Sequence, residues 1–274
     1  MQSCARRNGE DRVPDTTSFQ RRWAGLKPPL RPNHEVVETL RGLIAGKNAL
    51  VFLLGVTPEL SELGEKLVAV DFNAAMIERA WPGDNARRRV VLGDWREDWG
   101  TERGFTAAIG DGSLAALEFP DDHRRFFAHL TPLLAPGARL ACRLYMKPDR
   151  CEPVAALRQQ AMSGAGGGWS AFKWRLAMSV AEAHATPNIA LKIVHDAFVA
   201  CFPDRDALAQ ASGWSREEID TIDFYRGAER RFTFMTEAEH RAMLPPAFPS
   251  PRFLPSGTYE LAERCPFLVA DYRP

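Results

Sequence analysis

Three aspartates stand out in the first half of the chain. Asp71, Asp94 and Asp111 each close an apolar run, at 67–70, 90–92 and 105–109. One aspartate after such a run is ordinary turn or cap chemistry. Three at successive strand ends converge on a shared ligand, because an open α/β sheet binds its ligands beyond the carboxyl ends of its strands. An ionised carboxylate only accepts hydrogen bonds, and Asp71 at the tip of a second strand suits the paired hydroxyls of a ribose. Gly55 lies opposite, in the turn that follows the first apolar run.

The elements that carry these residues follow from periodicity. Residues 49–54 are wholly apolar, as expected of a parallel strand covered on both faces. Thr57 as N-cap, Pro58 at the first helical position and Gly64 as terminator predict a short helix. Residues 66–70 form the next strand. Residues 33–45 read as an amphipathic helix and 72–80 as a second helix bearing Met76. Further strands are expected at 87–92, 105–109 and 139–145, with a helix from Asp121 to Leu134 that Pro136-Gly137 stops. This is an α/β chain: a doubly wound, mostly parallel seven-stranded sheet, completed by a final helix and an antiparallel edge hairpin over 232–274. Capping boxes at Ser215/Glu218 and Thr236/Glu239 mark two late helix starts.

Residues 147–231 change to helical periodicity and predict a lid or substrate insertion, hinged at the glycine-rich segment 163–168. Residues 1–17 are polar and read as a disordered tail, and 18–146 as an α/β core preceded by a proline-stiffened strap. That strap carries Trp23 and Arg31, and two readings stand: a strap packed on the core through Trp23, or a segment that closes over a ligand with Arg31 meeting its carboxylate. The 35 basic residues balance 35 acidic ones, so no overall field recruits nucleic acid or a membrane surface. Five scattered cysteines form neither a CxxC pair nor a metal pattern, and no apolar run reaches the roughly 20 residues of a membrane span. A cytoplasmic protein with reduced thiols and no metal is expected; a homodimer is left open.

The single glycine at Gly55 argues against a dinucleotide, whose pyrophosphate needs closer backbone approach. Over residues 33–145 the motifs resemble the class I S-adenosylmethionine-dependent methyltransferases. Leu53-Leu54-Gly55-Val56-Thr57-Pro58-Glu59 stands where that family has an acid and a Gly-x-Gly-x-Gly turn; Leu53 replaces the acid, and Thr57 and Glu59 replace glycines. Asp71 matches the ribose-binding acid, Asp94-Trp95 the adenine-binding pair, and Asp111-Gly112-Ser113 the motif after the fourth strand. The resemblance implies S-adenosyl-L-methionine as cofactor, S-adenosylhomocysteine as product, and methyl transfer to an O or N nucleophile of a small organic acceptor beneath the lid. It places Leu54, Gly55, Thr57, Phe72, Met76 and Gly93 beside the cofactor. Asp111, Tyr145 and His195 are the candidate bases for the acceptor, followed by His184. A methyltransferase fold that has lost catalysis and acts as a binding or regulatory protein is the alternative.

Overall fold

The computed structural model describes residues 26–274. Trp23 and the expected tail at 1–17 lie outside the described residues. The chain enters through α1 (His34–Leu43), whose N-terminus is capped by the Asn33 side chain accepting from the Val36 N–H. Strands β1 (Leu50–Leu54), β2 (Lys66–Asp71), β3 (Arg88–Leu92), β4 (Phe105–Asp111) and β5 (Leu134–Arg143) are parallel, and β8 (Arg252–Leu254) and β9 (Phe267–Asp271) complete the sheet antiparallel. The order is β3-β2-β1-β4-β5-β9-β8.

The alternation of side chains across a strand sets the core. In β1, Val51 and Leu53 join the cluster under α1, while Phe52 and Leu54 join the cluster on the opposite face. Both faces are therefore apolar, which is why the run contains no polar residue. Leu53, standing at the position of the missing acid, is fully buried in that first cluster.

Three local readings are corrected. The segment after Thr57 makes only a 3-10 turn, Pro58–Leu60. The helix after β2 is α2 (Ala74–Ala80), because the Asn73 side chain caps it at Ala75 and Met76; Phe72 stays outside the helix and largely exposed. α3 (Asp121–Leu130) ends in a 3-10 turn at Thr131–Leu133, and β5 already begins at Leu134. Pro136-Gly137 does not stop a helix. It lies within β5 where the β4–β5 register slips between Phe105 and Ala107, and a bulge absorbs the residues that cannot pair.

Between β5 and β8 run α4 (Val154–Met162), α5 (Trp169–Ala183), β6 (Asn188–Ala190), α6 (Leu191–Cys201), α7 (Arg205–Ser212), α8 (Arg216–Asp220), β7 (Arg231–Thr233) and α9 (Glu237–Met243). α5 is buried on nearly every side, against Leu157, Phe198, Trp214 and Phe234 among others. The small β6–β7 ladder is pinned to the loop before α3 through Asn188, whose side chain accepts from the Phe119 N–H at 2.9 Å and donates to the Phe119 carbonyl at 2.7 Å. No helix among the described residues is long and apolar enough to cross a membrane.

Candidate active site

A cavity of about 350 Å³ opens at the carboxyl ends of β1, β2 and β4, with α5, the start of α6 and the segment before β7 as its opposite wall. On the sheet side, the Val70 carbonyl organises three parts. It accepts from the Gly55 N–H at 2.8 Å and from the Trp95 indole N–H at 2.6 Å. That draws the β1 turn and the indole onto the tip of β2. Gly55 has φ +92°, and a Cβ there would sit 3.6 Å from Asp71 Oδ2 and 3.8 Å from the Trp95 ring. The turn, the carboxylate and the indole thus form one cradle that a larger residue would invade. The Asn73 N–H takes Asp71 Oδ1 at 2.8 Å and leaves Oδ2 on the cradle side. Burial pushes the Asp71 pKa up, opposed by the Asn73 N–H and by the charge of Arg230.

The cavity floor after β4 is held by an ion-pair latch. Arg143, at the end of β5 and wholly buried, donates from Nε and Nη2 to the two carboxylate oxygens of Asp111. The same guanidinium donates to Tyr259 Oη and to the Pro29 carbonyl, both at 2.8 Å. Tyr145 donates to that carbonyl at 3.1 Å, and burial, then the Asp111 charge, hold its phenol well above the usual range. Gly112 has φ +65°, and a Cβ would fall 2.3 Å from Tyr145 Cε2. Ser113 Oγ donates to the Leu54 carbonyl at 2.7 Å, tying the turn after β4 to the end of β1.

No family model matches the chain. Two curated relatives, from Mycolicibacterium vanbaalenii and Mycolicibacterium gilvum, are provisionally named S-adenosyl-L-methionine-dependent methyltransferases. They are 40% and 41% identical over 80 residues, covering 26% of this chain and 26% of each relative. The matched stretch thus spans about a quarter of the length of these relatives. Among solved structures, the apo form of the S-adenosylmethionine-dependent methyltransferase SibL superposes with a TM-score of 0.50 at 11% identity, covering 88% of this chain and 55% of its own. A protein of Bordetella parapertussis described as a possible exported protein gives 0.50 at 15% identity, covering 94% and 79%. The chain has the class I methyltransferase fold.

On this methyltransferase fold, ten of the residues expected from the sequence line the cavity. Leu54, Gly55, Thr57, Asp71 and Met76 stand at the β1 and β2 ends; Trp95, Asp111, Gly112, Ser113 and Tyr145 complete the set. The others are elsewhere. Arg31 pairs with Glu59 at 2.5 Å, beside a neighbouring surface pocket, so neither is directed at the cavity. Asp94 is taken by Arg96, which also holds Asp122 at 2.7 Å, and the Arg96 hydrogen bonds lower its pKa. Neither Asp94, Gly93 nor Phe72 contributes to the cavity wall. His195, on α6, lies between Asp196 and Asp223 at 3.2 Å each, away from the cavity, and His184 is exposed at the end of α5. Among the proposed bases, then, Asp111 is clamped by Arg143, Tyr145 is a donor, and His195 does not line the cavity.

The sequence reading missed the insertion's wall: Lys173, Trp174, Leu191, Tyr225, Arg230 and Phe232. Lys173 is only 5% exposed, its ammonium 5.5 Å from the centre of the Tyr225 ring and 6.0 Å from that of Trp169. Burial lowers its pKa to about 8. The available signal was a basic residue in the middle of the otherwise apolar start of α5, Trp-Ser-Ala-Phe-Lys-Trp.

Proposed function

We propose that the chain is a methyltransferase that uses S-adenosyl-L-methionine to methylate an O or N nucleophile of a small organic acceptor, with residues 147–231 as the lid over that acceptor. One observation carries this reading: a single cavity joins the Gly55–Asp71–Trp95 cradle to the aromatic wall of the insertion. The cradle fits the cofactor's chemistry. Asp71 Oδ2 offers an acceptor to ribose hydroxyls, and Trp95, fixed by its bond to Val70, offers a flat apolar face to adenine. The turn lacks the glycines a pyrophosphate requires, and S-adenosyl-L-methionine carries no phosphate.

When bound, the cofactor supplies an activated methyl group on a sulfonium. The protein's part is alignment and exclusion of water. Tyr145 and Trp174, ring centres 4.8 Å apart, pack at the junction of sheet and insertion, and Phe232 continues that wall 5.1 Å from Trp174. The Arg143 latch fixes the Asp111–Ser113 turn that forms the floor between the two halves. The insertion walls the cavity opposite the cradle, which supports a small-molecule acceptor over a polymer.

Calorimetric titration tests the reading. S-adenosyl-L-methionine and S-adenosylhomocysteine are both expected to bind, and Asp71→Ala to weaken both by about tenfold or more, the value of a lost hydrogen bond to a charged group. Binding of neither at millimolar concentration, or unchanged affinity in Asp71→Ala, overturns the assignment.

A further inference from the structure

The acceptor's half of the cavity has a distinct chemical character. Resting on the methyltransferase reading above, we propose that Lys173, set in an aromatic wall that includes Trp174, forms an anion-recognition site, and that the methyl acceptor is a small aromatic or conjugated organic acid bound in its ionised form.

Lys173 is buried on α5 and lines the cavity; among the described residues it has no hydrogen-bonding or carboxylate partner, only the faces of Tyr225 and Trp169. An ammonium held this way is costly to desolvate, and aromatic faces offset only part of that cost. Its neighbour Trp174 contributes its ring to the same wall. An unpartnered ammonium in a wall of aromatic rings calls for an acceptor that brings its own negative charge and a flat apolar body. Arg230, exposed at the same cavity wall, adds a second cation that would steer an anion inward.

The acids of the cavity do not already neutralise Lys173. Asp111 is held by Arg143, and Asp71 faces Gly55 and Trp95 on the cofactor side. Charge balance in the reaction agrees. A lone pair of the ionised acceptor forms the new bond to the methyl carbon as the carbon–sulfur bond breaks, and that bonding pair stays on sulfur. Sulfonium and anion become a neutral thioether and a neutral methylated product, with no proton to remove. Such an acceptor needs no general base, which matches a cavity where Asp111 is clamped and the Tyr145 hydroxyl donates a hydrogen bond to the Pro29 carbonyl.

The test uses the full chain saturated with S-adenosylhomocysteine and matched probes, benzoate against benzamide and indole-3-acetate against indole-3-acetamide, titrated by calorimetry. At least one acid is expected to bind about tenfold tighter than its amide. Lys173→Met should erase that preference at unchanged S-adenosylhomocysteine affinity, and Lys173→Arg should retain it. Retained cofactor-product binding reports that each variant is folded. Amides binding as well as acids, no acid binding, or a preference that survives Lys173→Met overturns the proposal. So does a Lys173→Met variant that loses S-adenosylhomocysteine affinity while keeping the acid preference, since Lys173 would then hold the cofactor's own carboxylate. Failure of S-adenosylhomocysteine to bind the unaltered protein is a different result and removes the methyltransferase reading itself.

Discussion

Replacing Arg143 by Met probes the element on which the cavity floor depends. The side chain is wholly buried, and its guanidinium reaches both oxygens of Asp111, Tyr259 Oη and the Pro29 carbonyl. Tyr259 keeps a second partner in Ser256 Oγ at 2.5 Å, and Pro29 keeps Tyr145. The dominant loss is therefore the countercharge of Asp111, whose side chain is only 5% exposed. Removing one partner of a buried ion pair costs about 3–5 kcal/mol, because the other charge stays desolvated. In urea unfolding this should lower the midpoint by at least about 1 M at an m-value near 3 kcal/mol/M. Arg143→Met combined with Asp111→Asn should recover about 1–3 kcal/mol relative to the sum of the single changes, since the pair acts as a unit. Additive single costs, or a loss below about 1 kcal/mol for Arg143→Met, would refute the latch as a coupled buried pair.

Two further outcomes follow from the same geometry. Gly112→Ala places a Cβ 2.3 Å from Tyr145 Cε2 at φ +65°, so it should cost about 2 kcal/mol or more and displace Tyr145; wild-type stability in thermal unfolding would contradict this. Lys173 has its pKa lowered from 10.5 to about 8 by burial, so the folded state releases this proton before the unfolded chain does. Stability relative to Lys173→Met should then rise between pH 8 and 10.5, by about 3 kcal/mol in total, and stay level below pH 8. Asp71, Asp111, Tyr145, Tyr225 and Arg230 face the same cavity, and the difference between the two proteins cancels whatever they contribute equally. A flat difference curve in urea unfolding would place the amine in water.

Much of the sheet was legible because its signals are local. The unbroken apolar run of β1, the turn at Gly55 and the acid at the tip of β2 need no knowledge of the rest of the chain, and they stand where the pattern puts them. Signals that depend on distant partners were not legible. Asp111 reads as a free strand-end acid until Arg143, 32 residues later, is folded against it. Asp94 reads as a ligand-binding acid until Arg96 and Asp122 fix it. Pro136-Gly137 carries the composition of a helix stop, yet Leu134 and Arg139 on either side of it both pair with β4 and make it a bulge. The insertion hid its site for another reason. α5 is buried nearly all round, so apolar periodicity does not show which side meets the cavity, and Lys173 passes for a surface charge.

Cofactor recognition by the Gly55–Asp71–Trp95 cradle is tested most directly by a crystal structure of the protein grown with S-adenosylhomocysteine. The predicted density lies along the ends of β1 and β2, with the ribose hydroxyls on Asp71 Oδ2, adenine against Trp95, and the sulfur facing Tyr145 and the insertion. Density for the ligand outside this cavity, or a cavity still empty at saturating ligand, would contradict the account.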